Sequence, residues 1–154
     1  SNMLSRVRTI ADLQFGRGTG VQLFPDSCRF ITSRRGGVRQ VLLDGKRLAT
    51  LRAHDGRLTL GLAGGKRLHE ALSGQTGRVE LREDVVSFIA AGKNLFCRHV
   101  IHADPGIHAG DEVIVTDGDG RFIAIGEAVV SGTEMMACET GMAVSVRHGI
   151  KKEE

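Results

Sequence analysis

Cys97, His99, His102 and His108 place four metal-capable side chains in one short stretch. A tetrahedral zinc site needs four converging donors at about 2.0–2.3 Å, and helical spacing points Cys97 and His99 apart, so no metal site is expected. The paired carboxylates Glu83-Asp84 and Asp111-Glu112 fall at strand starts and turns, where they read as solubilising edges and not as an acid/base pair. No Ser-His-Asp or Cys-His arrangement carries a local nucleophile signature. The glycine-rich GRGTG (Gly16–Gly20) lacks the Lys-Ser/Thr ending of a P-loop, and GxGxxG does not occur in that stretch. Cys28, Cys97 and Cys138 are odd in number and far apart, with no CxxC pair, which predicts no disulfide framework. No catalytic centre and no cofactor are therefore expected.

Charge carries the more useful chemistry. The net charge of +3 conceals an asymmetry: Ser1–Arg78 holds fourteen Lys/Arg against five Asp/Glu, and Val79–Glu154 holds seven against thirteen. A strongly basic first half favours a polyanionic partner. Arg34, Arg35, Arg39, Lys46, Arg47 and Arg52 spread over a strand entry, a meander and its turn as a general basic surface. Strand alternation would put Arg39 on the face of Val41, and Val38 with Gln40 and Leu42 on the other. Six Phe without Trp or Tyr limit recognition through rows of stacking rings.

The elements that must position these groups follow from periodicity. Ser1-Asn2 ahead of Met3 reads as an expression remnant, and Met3–Phe15 has apolar residues at helical spacing with Gly16 as a stop. The segment Gly16–Gly20 is expected to be a connection. Cys28–Ser33, Val38–Leu43, Leu48–Arg52 and Leu58–Leu62 read as strands, the last three joined into an antiparallel meander by Asp44-Gly45 and Asp55-Gly56. Ala63–Leu72 reads as a helix, and Ser73–Gly77 as the boundary between halves. Arg78–Leu81, Val85–Ile89, Glu112–Thr116, Phe122–Val130 and Met142–Arg147 read as the strands of a small curled sheet or barrel, interrupted by a helical insertion near Lys93–Cys97. The GIKKEE tail is expected to fray. No apolar run approaches the roughly 20 residues of a membrane span, and no secretory leader is evident, so a soluble cytoplasmic protein is expected.

The run GDEVIVTDGDGRFIAIGEAVVSGTEMMACETGMAVSVRHGI (Gly110–Ile150), with VVSFIAAGKNLFCRHVIHADPGI (Val85–Ile107) before it, resembles the PUA domain. GKNLF and the VRHGI ending are most similar to the PUA domain that closes the archaeal archaeosine tRNA-guanine transglycosylases. QFGRGTGVQLFP and RRGGVRQVLLDGKRLATLRAHDGRLTL resemble the domain that precedes it there. The resemblance implies a basic α+β pre-PUA domain over residues 3–77, an antiparallel meander with helices, followed by a mainly-β PUA pseudo-barrel over residues 78–150. Nothing in the chain matches the catalytic barrel or zinc site of those enzymes.

By the same resemblance, Gly92 marks a corner where RNA backbone approaches, and Lys93, Asn94 and Arg98 lie on or beside the inserted helix where cations meet phosphates or the tRNA acceptor end. Phe96 is expected to plug the barrel, with stacking on a terminal base as its other role. Arg147, able to grip a phosphate bidentately, and His148 close the last strand beside the RNA surface. The implied partner is tRNA or another structured RNA, with a separate tRNA-modifying enzyme chain as a further possibility. The alternative is a protein-interaction subunit that docks on a catalytic partner without touching RNA.

Overall fold

A computed structural model describes residues 2–151, which form two compact units, Ser1–Leu72 and Ser73–Glu154. Residues 152–154 of the tail expected to fray lie outside the described residues.

In the first unit, α1 (Asn2–Phe15) buries Val7 and Ala11 completely, one helical turn apart on the same stripe. Leu13, six residues from Val7, falls a third of a turn off that stripe and is 84% exposed. The connection expected at Gly16–Gly20 is shorter than the sequence implies, because α2 (Thr19–Leu23) begins inside it. The Thr19 hydroxyl donates to the Ala11 carbonyl at 3.1 Å, and the Gly20 N–H donates to the Asp12 carboxylate at 2.7 Å. The two helices cross so closely that a Cβ on Gly20 would lie 2.2 Å from the Arg8 carbonyl oxygen.

Strands β1 (Arg29–Thr32), β2 (Val38–Leu43), β3 (Lys46–Leu51) and β4 (Leu58–Leu60) form an antiparallel sheet in sequential order. Asp44 and Gly45 both take positive φ, 51° and 79°, and close a two-residue hairpin with Leu43 opposite Lys46. That conformation follows the right-handed twist of the strands it joins. Phe30, Val41, Ala49 and Leu60 line one face through successive register pairs, and α3 (Leu62–Ala71) packs on β3. A register shift at Ile31/Thr32 leaves Arg39 as an extra residue in β2. Val38 and Val41, three apart, are consequently both buried, and Arg39 is exposed. Strict alternation would have paired Arg39 with Val41; the bulge re-aims it.

The second unit is a six-stranded mixed sheet of order β6-β10-β9-β8-β5-β7. Its strands are β5 (Arg78–Leu81), β6 (Leu95–Phe96), β7 (Val100–Ala103), β8 (Glu112–Thr116), β9 (Phe122–Ala128) and β10 (Met142–Gly149). Only β5 and β8 run parallel. The core gathers Val79, Leu81, Ile89, Leu95, Ile107, Val113, Val115, Ile123, Met135 and Val144. Arg78, 7% exposed, turns its guanidinium back onto the Gly74 and Thr76 carbonyls, tying the start of this unit to its first strand.

Two sequence expectations change here. Val85–Ile89 is not a strand: a 3-10 turn (Glu83–Val85) leads into the short helix α4 (Val86–Ala90). Val85 and Ile89, four apart, are buried while Phe88 is 59% exposed, a helical pattern that the β-branched and aromatic composition disguised. Nor is Lys93–Cys97 helical. Gly92 at φ 97° stops α4, with the Lys93 N–H on the Phe88 carbonyl (3.1 Å) and the Gly92 N–H on the Ile89 carbonyl (2.9 Å). This is a Schellman termination, and the chain leaves it extended as β6 before a 3-10 turn at Cys97–His99. The sequence reading also lacked β7 and α5 (Gly132–Ala137). The signal for α5 was present: Ser131 and Glu134 form a reciprocal capping box.

Candidate nucleic-acid interface

The segment from Gly92 to His99 leaves the core at a Schellman turn and runs along β10 at an edge of the sheet. Its first anchor is Asn94, whose Oδ1 accepts the Val146 N–H at 2.9 Å, where β10 shifts register between Val146 and His148. Asn94 is thus spent, at least through this oxygen, on holding the segment to the bulged strand. Its second anchor is Leu95, fully buried in the core. Strand alternation then sends Phe96 outward, opposite Met142, and leaves it 42% exposed. The expectation that Phe96 plugs the barrel is corrected: Leu95 is the plug, because β6 is extended and neighbouring side chains take opposite faces.

Lys93 and Arg98 are exposed on either side of β6, and neither has an ion pair among the described residues. Two unpartnered cations therefore flank an outward ring on one edge. Such an edge can receive phosphates on its ends and a base or ribose face between them.

Arg147 sits differently from its expected role. Its Nη1 and Nη2 donate to the two carboxylate oxygens of Glu112 at 2.7 and 2.6 Å, across β9 between β10 and β8. The Glu112 side chain is 3% exposed and that of Arg147 is 28% exposed. Burial opposes the charged guanidinium, but the hydrogen bonds and charge of Glu112, with Glu127 behind it, outweigh that and hold Arg147 above the ordinary arginine range. Two of the five N–H donors of Arg147 are thus spent on a buried carboxylate, which makes Arg147 a strut of the sheet. His148 is half-buried beside it, in register with Ile125.

The basic residues of the first unit divide in the same way. Arg34 and Arg35 are exposed in the β1–β2 turn, Arg39 at the bulge and Lys46 at the hairpin. Arg52 instead donates twice to Asp55, at 3.2 and 2.6 Å, and Arg47 donates to the Thr50 hydroxyl at 3.1 Å. Asp55 is held below the usual carboxylate range: desolvation pushes it up, and the Arg57 backbone N–H with the Arg52 guanidinium pulls it further down. Arg29 was missed. It is exposed at the start of β1, in the cross-strand row Arg29, Leu42, Arg47, and alternation along CRFITS was the available signal.

Among the described residues no three His, Cys, Asp or Glu side chains converge on a metal position. No described helix is long and apolar enough to cross a membrane.

Residues 5–75 match patch-forming domain C2 of tRNA-guanine transglycosylase, and residues 77–150 match the PUA domain. The chain is a PUA-domain protein. Its PUA domain is the mixed-sheet unit with the Lys93–Arg98 edge, and the C2 domain is the helix-flanked meander. The chain is 43% identical over 149 residues to the tRNA-guanine(15) transglycosylase of Pyrococcus abyssi, a match covering 97% of this chain and 25% of that protein. It spans about a quarter of the length of the curated relatives it matches. A conserved PUA domain protein from Thermoplasma acidophilum superposes at a TM-score of 0.57 and 25% identity, over 74% of this chain and 71% of that one. A hypothetical protein from Pyrococcus horikoshii has the same fold throughout, at a TM-score of 0.76 and 22% identity over 99% of this chain and 92% of that one.

Proposed function

We propose that this PUA-domain protein is an RNA-binding accessory module in tRNA modification of the archaeosine type, acting with a tRNA-modifying catalytic domain or chain. The observation that carries the reading is the pair of unpartnered cations, Lys93 and Arg98, flanking the outward Phe96 on one edge of the PUA domain. Side chains reach bases in RNA at single-stranded positions, which a tRNA acceptor end offers and a duplex does not. Asn94 and Gly92 contribute by shaping the edge, and His148 lies near the end of β10, the strand that β6 pairs with. Arg29, Arg34, Arg35, Arg39 and Lys46 supply a second, sequence-independent phosphate surface on the C2 domain.

The test is binding of the protein to tRNA and to the same tRNA without its 3′-terminal nucleotides, across a salt series. Affinity should fall with salt by roughly 0.7–0.9 in log-log slope per phosphate contact and weaken on trimming. The double variant Lys93→Ala/Arg98→Ala should flatten the slope. Equal affinity for intact and trimmed tRNA would refute acceptor-end recognition.

One observation favours a second reading, docking onto a catalytic partner. Leu13, 84% exposed, borders a shallow hollow of about 400 Å³ lined by Ile10, Gln14, Gly56 and Arg57 on the C2 domain. An apolar knob beside an open hollow is a common protein contact. If that surface is the functional one, Leu13→Glu abolishes association with the partner and leaves RNA affinity intact.

A further inference from the structure

The antiparallel sheet of the C2 domain has a second face, and strand register decides what stands on it. Phe30, Val41, Ala49 and Leu60 share the face on which the core lies, so their strand neighbours point the other way. Successive pairs set Ile31, Gln40, Thr50 and Thr59 in one row from β1 to β4. Arg29, Leu42 and Arg47 make the next row. None of these side chains is buried, and neither row contains a carboxylate. The register shift at Val41/Leu42 leaves Leu48 as an extra residue in β3, which turns Arg47 and Thr50, three apart, to the same side. Arg47 donates to the Thr50 hydroxyl at 3.1 Å, joining the two rows, and that hydroxyl keeps its own O–H as a donor. Arg29 and Arg47 stand two strand spacings apart, about 10 Å, far enough to meet two phosphates instead of one.

We infer that this outward sheet face binds double-stranded RNA across its minor groove, with Arg29 and Arg47 on phosphates and the row of Gln40, Thr50 and Thr59 on ribose 2′-hydroxyls. The inference rests on the RNA-binding reading above and specifies which part of the RNA the C2 domain takes. Arginines without a carboxylate among them select a polyanion. The absence of a ring on this face selects a duplex: single strands are held by stacking on aromatic side chains, Phe30 is turned to the core side, and the chain has no Trp or Tyr. An RNA duplex offers a wide, shallow minor groove lined with 2′-hydroxyls, which a face four strands wide, about 14 Å, can meet without inserting anything. Hydroxyl and side-chain amide groups both donate and accept, as a 2′-hydroxyl does, so this row discriminates RNA from DNA while the arginines do not. The outward ring of the PUA domain, Phe96, then serves the single-stranded end, and the two domains divide the RNA by its structure.

The measurement is binding of the whole chain, at one salt concentration, to a blunt RNA hairpin without overhang, to the DNA hairpin of the same sequence and to an unstructured single-stranded RNA. The RNA hairpin should bind roughly fivefold or more tighter than the DNA hairpin. Thr50→Val with Thr59→Val keeps both side chains β-branched and removes both hydroxyls, and should bring the RNA hairpin towards the DNA affinity without changing the latter. Arg29→Ala should weaken both hairpins equally and reduce the salt slope by about one. An RNA hairpin carrying 2′-O-methyl groups, which lacks the 2′ donor, should bind the unaltered protein more weakly, a readout that no folding defect can mimic. Equal affinity for the RNA and DNA hairpins, or a preference for the single strand, would overturn the inference. If neither hairpin binds while intact tRNA still binds through its 3′ end, the duplex inference fails and acceptor-end recognition stands. If tRNA and hairpins alike fail to bind at low salt, the RNA-binding reading fails and takes this inference with it.

Discussion

Arg147 and Arg98 are the same residue type in the same unit, and what surrounds them gives them opposite work. Arg147 faces a carboxylate buried with it, and removing one member of such a pair leaves the other charge stranded. Arg147→Ala should therefore lower unfolding stability by about 3 kcal/mol in a denaturant titration, while leaving the salt slope of RNA binding unchanged. Arg98→Ala should do the reverse, with near-neutral stability and weaker RNA binding, because exposed cations contribute little to folding. Asp117 gives a pH prediction. It is 5% exposed; desolvation raises its pKa, but backbone N–H groups of Arg121 and Asp119 and the Arg121 guanidinium more than offset that and depress it. A folded-state pKa below the unfolded value of about 3.9 contributes stability above that pH and loses it as pH falls through the folded value. Asp117→Asn should accordingly be less stable than the parent near neutrality, and the gap should narrow below about pH 4 in thermal melts run as a pH series.

At the scale of elements, two glycines are required by geometry that no side chain can meet. Gly64 in α3 lies so close to β3 that a Cβ would sit 1.9 Å from the Leu48 carbonyl oxygen. Backbone cannot yield as a side chain tip can, so Gly64→Ala should force α3 off the sheet and cost more than about 2 kcal/mol by chemical denaturation. Gly92 is needed for a different reason, its φ of 97° at the end of α4. Gly92→Ala should cost about 1 kcal/mol with no RNA present, which separates a helix-stop role from a purely RNA-facing one. The hairpin at Asp44-Gly45 was legible because its dipeptide names its own turn. The swap of helix and strand around Lys93 was not, since a five-residue helix and a five-residue strand of valine, phenylalanine and isoleucine share a composition.

For the whole molecule, the basic C2 domain and the acidic PUA domain predict that RNA affinity depends on salt through both. Reversing Arg34, Arg35 and Lys46 to Glu should reduce affinity uniformly across RNA sequences and lower the salt slope, without changing the preference for an intact 3′ end. Determined by the sequence alone were the two-part division of charge, the meander with its turn chemistry, and the resemblance to a C2 and PUA pair, because each rests on local residue types or on a long colinear pattern. Only the tertiary structure decided which cations are free. Arg147 and Arg52 meet carboxylates three or more residues away across a turn or a sheet, and Arg39 is re-aimed by a bulge, so none of these could be assigned from strand alternation. Pairing of strands distant in the chain sets such neighbours, and sequence spacing carries no record of it.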